Sequence, residues 1–155
     1  MKRVWMLILA ALPLFAAPNF SGNWVLNITK SQYGQFPAPD VMTRFVQMQP
    51  SQIIVSTYQK GTQGEVTTQL KYTTDGKPSV NSTTTGVAHW DGDTLVIESS
   101  RNSQGAKLTQ RDSWTLSGDG KTLIIQSHIK LPNGEFDVKQ IFDKAPTPTG
   151  TRAVF

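Results

Sequence analysis

Apolar and polar positions alternate with a period of two along most of the chain, and no window of a dozen residues repeats at helical spacing. Strict alternation marks a strand with one dry and one wet face, so the pattern predicts an all-β chain. Turn signals cut the alternating runs at short intervals: Gly61-Thr62-Gln63-Gly64, Asp75-Gly76, Asp91-Gly92, Asn102-Ser103-Gln104-Gly105, Asp119-Gly120 and Asn133-Gly134. Asp-Gly and Asn-Gly suit two-residue hairpins, whose central positions need positive φ. The strands predicted between them span about 22–28, 43–49, 51–60, 65–73, 78–84, 86–90, 94–101, 106–116, 122–131 and 135–143. Residues 29–42, with Gly34, Pro37 and Pro39, form a loop with room for one helical turn.

The hairpins also fix registers. A turn centred on Ser103-Gln104 sets Ile97 opposite Gln110 and Leu95 opposite Asp112. One centred on Asp119-Gly120 sets Trp114 opposite Ile125, and one on Asn133-Gly134 sets Ile125 opposite Phe142. Because side chains alternate between faces, one face then gathers Leu95, Ile97, Leu108, Trp114, Leu123, Ile125, Val138 and Phe142. The other gathers Glu98, Thr109, Arg111, Gln126, His128, Lys130 and Asp137. A meander that keeps one apolar face hides its edges by closing on itself. The expected architecture is a single antiparallel up-and-down meander of 8–10 strands closing into a β-barrel. "DGDTLVIES" at 91–99 returns as "DGKTLIIQS" at 119–127. Two copies of a turn plus one strand are similar hairpins of one meander, not a repeat architecture.

The two ends of the chain read differently. Lys2 and Arg3 precede an apolar run from Val4 to Phe15, and Ala16 and Ala17 supply small residues for cleavage, the pattern of an export signal. The apolar run is too short to span a bilayer of roughly 30 Å. Proline after the cut is a poor substrate, so residues 1–16 are expected as signal peptide, with the mature chain starting at Ala17. Residues 17–145 are expected to form the barrel domain and 146–155 a proline-rich tail. Export would be to the periplasm or the medium of a bacterium. Losing Lys2 and Arg3 lowers the formal net charge from +4 to about +2, and no basic cluster is interleaved with aromatics, which argues against a nucleic-acid partner. The chain has no cysteine, which removes thiol catalysis and cysteine-based metal sites. A monomer with no membrane span is expected.

Phe20-Ser21-Gly22-Asn23-Trp24 resembles the F-x-G-x-W start of the lipocalin and fatty-acid-binding families, the calycin group of barrels. The longer string "FSGNWVLNITKSQYG" is similar to the start of exported bacterial lipocalin-like proteins, with Asn27, Lys30, Ser31 and Gly34 matching as well. "WDGDTLVIE" and "LSGDGKTL" look like further pieces of that pattern. The resemblance implies a calycin-like barrel in which Trp24 plugs one end, with a basic residue near the last strand packed over it. No arginine stands on the last strand, so Lys139, Lys144 or Arg152 would take that place, and the Thr-Asp-Tyr turn of lipocalins is missing.

Candidate chemistry is sparse. His89 and His128 fall on the outward face, His128 opposite Arg111, where neither suits a general base or metal ligand. Glu98 and Asp112 fall on opposite faces, so they form no acid/base dyad, and Glu98 lies diagonal to Arg111 as a surface ion pair. Asp91-Gly92-Asp93 has too few oxygens for a calcium loop, and no nucleophile elbow or phosphate-cradling loop occurs. No catalytic residues, metal site or cofactor are therefore expected. What remains is a polar stripe on the dry face: Asp112, Ser127 and Gln140 level with one another, Gln110 one step away, and Ser99 and Arg101 further along. Buried polar groups need partners. The stripe is either an internal hydrogen-bond network or the anchor of a cavity otherwise lined by Tyr72, Trp90, Trp114, Ile125 and Phe142. Two functions fit these alternatives. One is a non-enzymatic barrel holding a small, mostly apolar molecule with a polar end, bound by Tyr72, Trp90, Arg101, Gln110, Asp112, Trp114, Ser127 and Gln140. The other is a structural or protein-interaction barrel with a filled interior.

Overall fold

The computed structural model describes residues 16–146. Most of the predicted leader, the tail beyond Pro146 and Arg152 lie outside them. Ten strands run in sequence: β1 (Gly22–Leu26), β2 (Val41–Gln49), β3 (Gln52–Gly61), β4 (Gly64–Thr73), β5 (Asp75–Asn81), β6 (Thr84–Asp91), β7 (Thr94–Ser103), β8 (Ala106–Leu116), β9 (Thr122–Leu131) and β10 (Gly134–Lys144). They form one antiparallel sheet in the order β4-β3-β2-β1-β10-β9-β8-β7-β6-β5, rolled into a nearly closed barrel. The all-β meander expected from the alternation is the fold observed.

Three local expectations are corrected. The predicted strands 78–84 and 86–90 are β5 and β6, joined by a turn at Ser82-Thr83, with Ser82 at φ 38°. That turn carries no glycine, so nothing in the composition marks it. The β7–β8 turn is Gln104-Gly105, both at positive φ, which sets Leu95 opposite Trp114 and Ile97 opposite Asp112. The β9–β10 turn is Pro132-Asn133, which sets Gln140, not Phe142, opposite Ile125. Trp114 does lie opposite Ile125.

Between β1 and β2 the chain makes one 3-10 turn, Ile28–Lys30. Asn27 organises it: its Oδ1 accepts from the Lys30 N–H at 3.2 Å, and its Nδ2 donates to Asp143 Oδ2 at 2.8 Å. Ser31 Oγ accepts the Ile141 N–H at 2.9 Å, and Gln32 bridges to Lys139. The Asn27, Lys30 and Ser31 string is thus a splice that lets the chain leave β1 while still bonded to β10. The following loop crosses one end of the barrel, where Phe36 packs edge-on against Phe136 with ring centroids 5.0 Å apart.

The other end is filled. Phe20, Trp24, Ile53, Leu95, Leu123, Ile125 and Phe142 have no accessible surface there. The Trp24 indole N–H donates to the Phe20 carbonyl at 2.8 Å, which satisfies its polar atom in a dry place. Lys144 Nζ stands 5.5 Å from the Trp24 ring centroid, a cation–π contact. Gly22, at φ 141°, passes beneath this lysine: a Cβ there would come 3.2 Å from Lys144 Cε. The glycine of the G-x-W string thus lets the last strand's cation lie over the tryptophan.

β4 and β5 are the two edges of the sheet and share no backbone ladder. The seam is closed by side chains. Asn81 accepts the Lys71 N–H at 2.9 Å and donates to the Lys71 carbonyl at 3.0 Å, and Ser79 Oγ accepts the Thr73 N–H at 3.1 Å. On the inside, Tyr72 reaches across the same seam and lies against Gly86 of β6.

Candidate functional site

Above the packed end the barrel opens into a cavity of about 600 Å³. Its walls combine apolar side chains such as Met42, Val55, Leu70, Ile97, Trp114 and Val138 with a polar floor, and residues 36–39 border it. Seven of the eight residues singled out from the sequence line it: Tyr72, Arg101, Gln110, Asp112, Trp114, Ser127 and Gln140. Trp90 does not. Its ring stacks on Phe20, centroids 5.8 Å apart, at the packed end, and Ile125 and Phe142 are in the same filled layer. Alternation identifies their face but not their height along the barrel.

The floor also holds a group that the sequence pattern does not single out. Arg44, on β2 between the buried Met42 and Val46, points inward. Its guanidinium carbon lies 5.1 Å from the Phe142 ring centroid and 5.5 Å from that of Trp114, so the cation rests on the top of the packed aromatic layer. Nη2 donates to Gln140 Oε1 at 3.3 Å, and Gln140 Nε2 donates to the Tyr33 hydroxyl at 2.9 Å. Gln140 is therefore not level with Asp112 and Ser127; it belongs to a second cluster with Arg44 and Tyr33.

Asp112 leads the first cluster. Its Oδ1 accepts from Ser127 Oγ at 2.5 Å and from Gln110 Nε2 at 2.8 Å. No donor among the described residues reaches its Oδ2. Burial pushes the Asp112 carboxyl up, against the opposing pull of Ser127, Gln110 and the positive charge of Arg44. Burial likewise lowers the Arg44 pKa, opposed by Asp112 and Tyr33; a guanidinium still stays charged. Tyr72 is pushed up to about 12, first by burial and then by the Asp112 charge, and is a neutral phenol. Arg44 and Asp112 sense each other, yet no ion pair joins them. Both are enclosed by protein but keep some accessible surface, which lies on the cavity wall. Arg44 Nε and Trp114 Nε1 are sealed without partners among the described residues, an unfavourable arrangement that each costs about 1–3 kcal/mol.

The outward face carries ordinary surface chemistry. Glu98 lies directly opposite Arg111 rather than diagonal to it, with Arg111 Nη1 3.0 Å from Glu98 Oε1. His128 is opposite Arg111 but turns toward β10, between Asp137 Oδ1 at 2.8 Å and Glu135 Oε2 at 3.1 Å. Among the described residues no group of three His, Cys, Asp or Glu side chains could hold a metal ion, and no helix is long and apolar enough to cross a membrane.

No family sequence profile matches the chain, and no curated protein matches it by sequence. Solved structures do match in shape. A REP1-NXSQ fatty acid transporter superposes with a TM-score of 0.58 at 12% identity, over 83% of this chain and 97% of that one. Zebrafish ileal bile acid-binding protein, complexed with cholic acid, gives 0.55 at 17% identity over 81% and 98%. Fatty-acid-binding protein 1 of Echinococcus granulosus gives 0.53 at 11% identity over 82% and 98%. With the ten-strand meander and the filled tryptophan end, these likenesses establish the fold as a calycin-type β-barrel.

Proposed function

We propose that the protein is an exported, non-enzymatic barrel that holds a small, mostly apolar molecule with a polar end. One observation carries this reading: a cavity of about 600 Å³ whose apolar walls converge on Arg44 and Asp112. Ligand pockets generally occupy about 300–1,000 Å³ and pair apolar walls with a few placed polar groups. Leaving two unlike charges apart in a protein interior is costly, and a filled structural barrel gains nothing from it. An open interior thus weighs against the structural or interaction barrel. The apolar body with a polar end also fits the fatty acids and the bile acid named for the structural neighbours.

The residues proposed to meet the ligand's polar end are Arg44, Gln140 and Tyr33 on one side, and Asp112, Ser127 and Gln110 on the other. Tyr72 and Trp114 flank them. The protein acts as a monomer, without nucleic acid or membrane span. Native mass spectrometry of the purified protein is the test of binding: a co-purifying small molecule, or uptake of added apolar molecules in a single stoichiometry, is expected. A barrel that takes up none of them would leave the structural reading in its place. Export rests on the leader, and N-terminal sequencing of periplasmic or secreted material is expected to begin at Ala17. Stable protein retaining Met1 would overturn that part.

A further inference from the structure

The two charges on the cavity floor narrow the ligand's polar end to one chemical class, provided that the cavity binds a ligand as proposed above. Ser127, Gln110 and the Arg44 charge favour the Asp112 carboxylate against its burial. In that form Arg44 and Asp112 together contribute no net charge to the floor, and each has valence left over. Of the five guanidinium donors, the described residues engage one, through Gln140 Oε1 at 3.3 Å. Of the two Asp112 oxygens they engage one, which accepts from both Ser127 and Gln110. The other charged side chain on the cavity wall, Arg101, is exposed and so is largely screened. The tyrosines facing the floor, Tyr33 and Tyr72, both have raised pKa values and are neutral.

A floor so built discriminates by charge. An alkyl carboxylate could accept from Arg44, but it would put a second anion beside Asp112 and offer no donor to the free Oδ2. An alkylammonium could donate to Asp112, but it would set a second cation beside Arg44. Either ion leaves one buried group unanswered and adds like-charge repulsion where screening is weak. A primary carboxamide answers both: its carbonyl oxygen accepts from an Arg44 Nη while its NH2 donates to Asp112 Oδ2. It brings no net charge. We infer that the cavity selects an apolar chain ending in a neutral donor-plus-acceptor group of the carboxamide kind, in preference to a free carboxylate or an amine.

The test uses the purified full chain loaded with Nile red, an uncharged apolar dye, and three twelve-carbon competitors: dodecanamide, dodecanoate and dodecylammonium, at neutral pH below their aggregation limits. Dodecanamide is expected to displace the dye at a concentration about tenfold or more below that of either ion, the scale of one charge-assisted hydrogen bond. Asp112→Asn leaves Arg44 as the sole floor charge and is expected to shift the preference toward dodecanoate by a similar factor. The wild-type ranking decides the matter even where the variant does not fold. Dodecanoate or dodecylammonium equal to or better than the amide on wild-type protein overturns the inference while leaving the binding reading intact. A folded Asp112→Asn protein with the wild-type ranking also overturns it. Failure of the dye and all three competitors to bind removes the binding reading itself, and this inference with it.

Discussion

The side-chain amide of Asn81 hydrogen-bonds the main chain of Lys71 in both directions, accepting at 2.9 Å and donating at 3.0 Å. It stands where a neighbouring strand's peptide would stand, and so replaces a rung of ladder that β4 and β5 do not make. Asn81→Ala removes both bonds at a partly exposed site, so the expected loss is about 1 kcal/mol. The local effect is more telling. Hydrogen exchange at the Lys71 amide should accelerate while amides of the β8–β9 ladder keep their protection. Unchanged exchange at Lys71 would mean that the clasp does not hold the seam.

The same seam is closed from inside by Tyr72 on Gly86. A Cβ at position 86 would lie 2.8 Å from Tyr72 Cε1 and 2.8 Å from the Glu98 carbonyl oxygen. The Glu98 oxygen is backbone and cannot swing away, so Gly86→Ala is expected to destabilise by about 1–3 kcal/mol, the usual range for overpacking. Thermal or urea denaturation reads the loss. Near-UV circular dichroism should report a moved Tyr72, and a fully wild-type stability would contradict the contact.

Trp24 has no accessible surface and makes its one polar bond to Phe20. Trp24→Ala should cost about 3–5 kcal/mol in urea unfolding. Lys144→Met keeps the aliphatic stem over the ring but removes the cation, and should cost only about 0.5–1 kcal/mol. A Trp24→Ala loss below about 1 kcal/mol would show that the packed end does not depend on it.

His128 bonds Asp137 and, on its other nitrogen, lies beside Glu135; the Asp137 bond chiefly raises its pKa above the ordinary 6.5. The folded form therefore binds this proton more tightly than the unfolded chain. Its contribution to stability is full below 6.5 and fades as pH rises through the raised folded value. In His128→Gln, urea midpoints measured from roughly pH 6 to pH 9 should decline less steeply than in the wild type. Parallel curves for the two proteins would count against the bond.

Parity decides how much of the barrel is legible in the sequence. Moving a two-residue turn by one position, as at Gln104-Gly105 and Pro132-Asn133, shifts each register by two, which preserves the face of every side chain. The inward set therefore survives two shifted registers, and Asp112, Ser127 and Gln140 all reach the interior. Height along the strands does not survive, which is why alternation alone assigns Trp90 to the cavity and sets Gln140 beside Asp112. Arg44 is legible in principle, because Met42 and Val46 give its parity. Val41 and Phe45 on the opposite parity are also apolar yet remain exposed, so β2 offers two candidate dry faces and alternation does not choose between them. The seam is not legible at all: Asn81 substitutes for a backbone, and no periodicity records that.

In the sheet, only the β1–β10 pairing joins strands that are far apart in sequence; every other ladder joins strands consecutive in the chain. The seam between β4 and β5 is crossed by Thr74, and at the packed end the Ala145 N–H donates to the Asn23 carbonyl at 2.8 Å. A rearranged chain that begins at Asp75, runs through β10, is tied by a short linker to Phe20 and ends at Thr74 would place its strands in their spatial order, β5 to β10 and then β1 to β4. Every backbone ladder of the barrel would then be local, and the bonds of Asn81 to Lys71 and of Ser79 to Thr73 would become the long-range ones. Such a permutant is expected to form its backbone ladders without a long-range pairing, the closure across more than a hundred residues passing to the seam side chains. Asn81→Ala should then slow its final closing more than it slows that of the natural order.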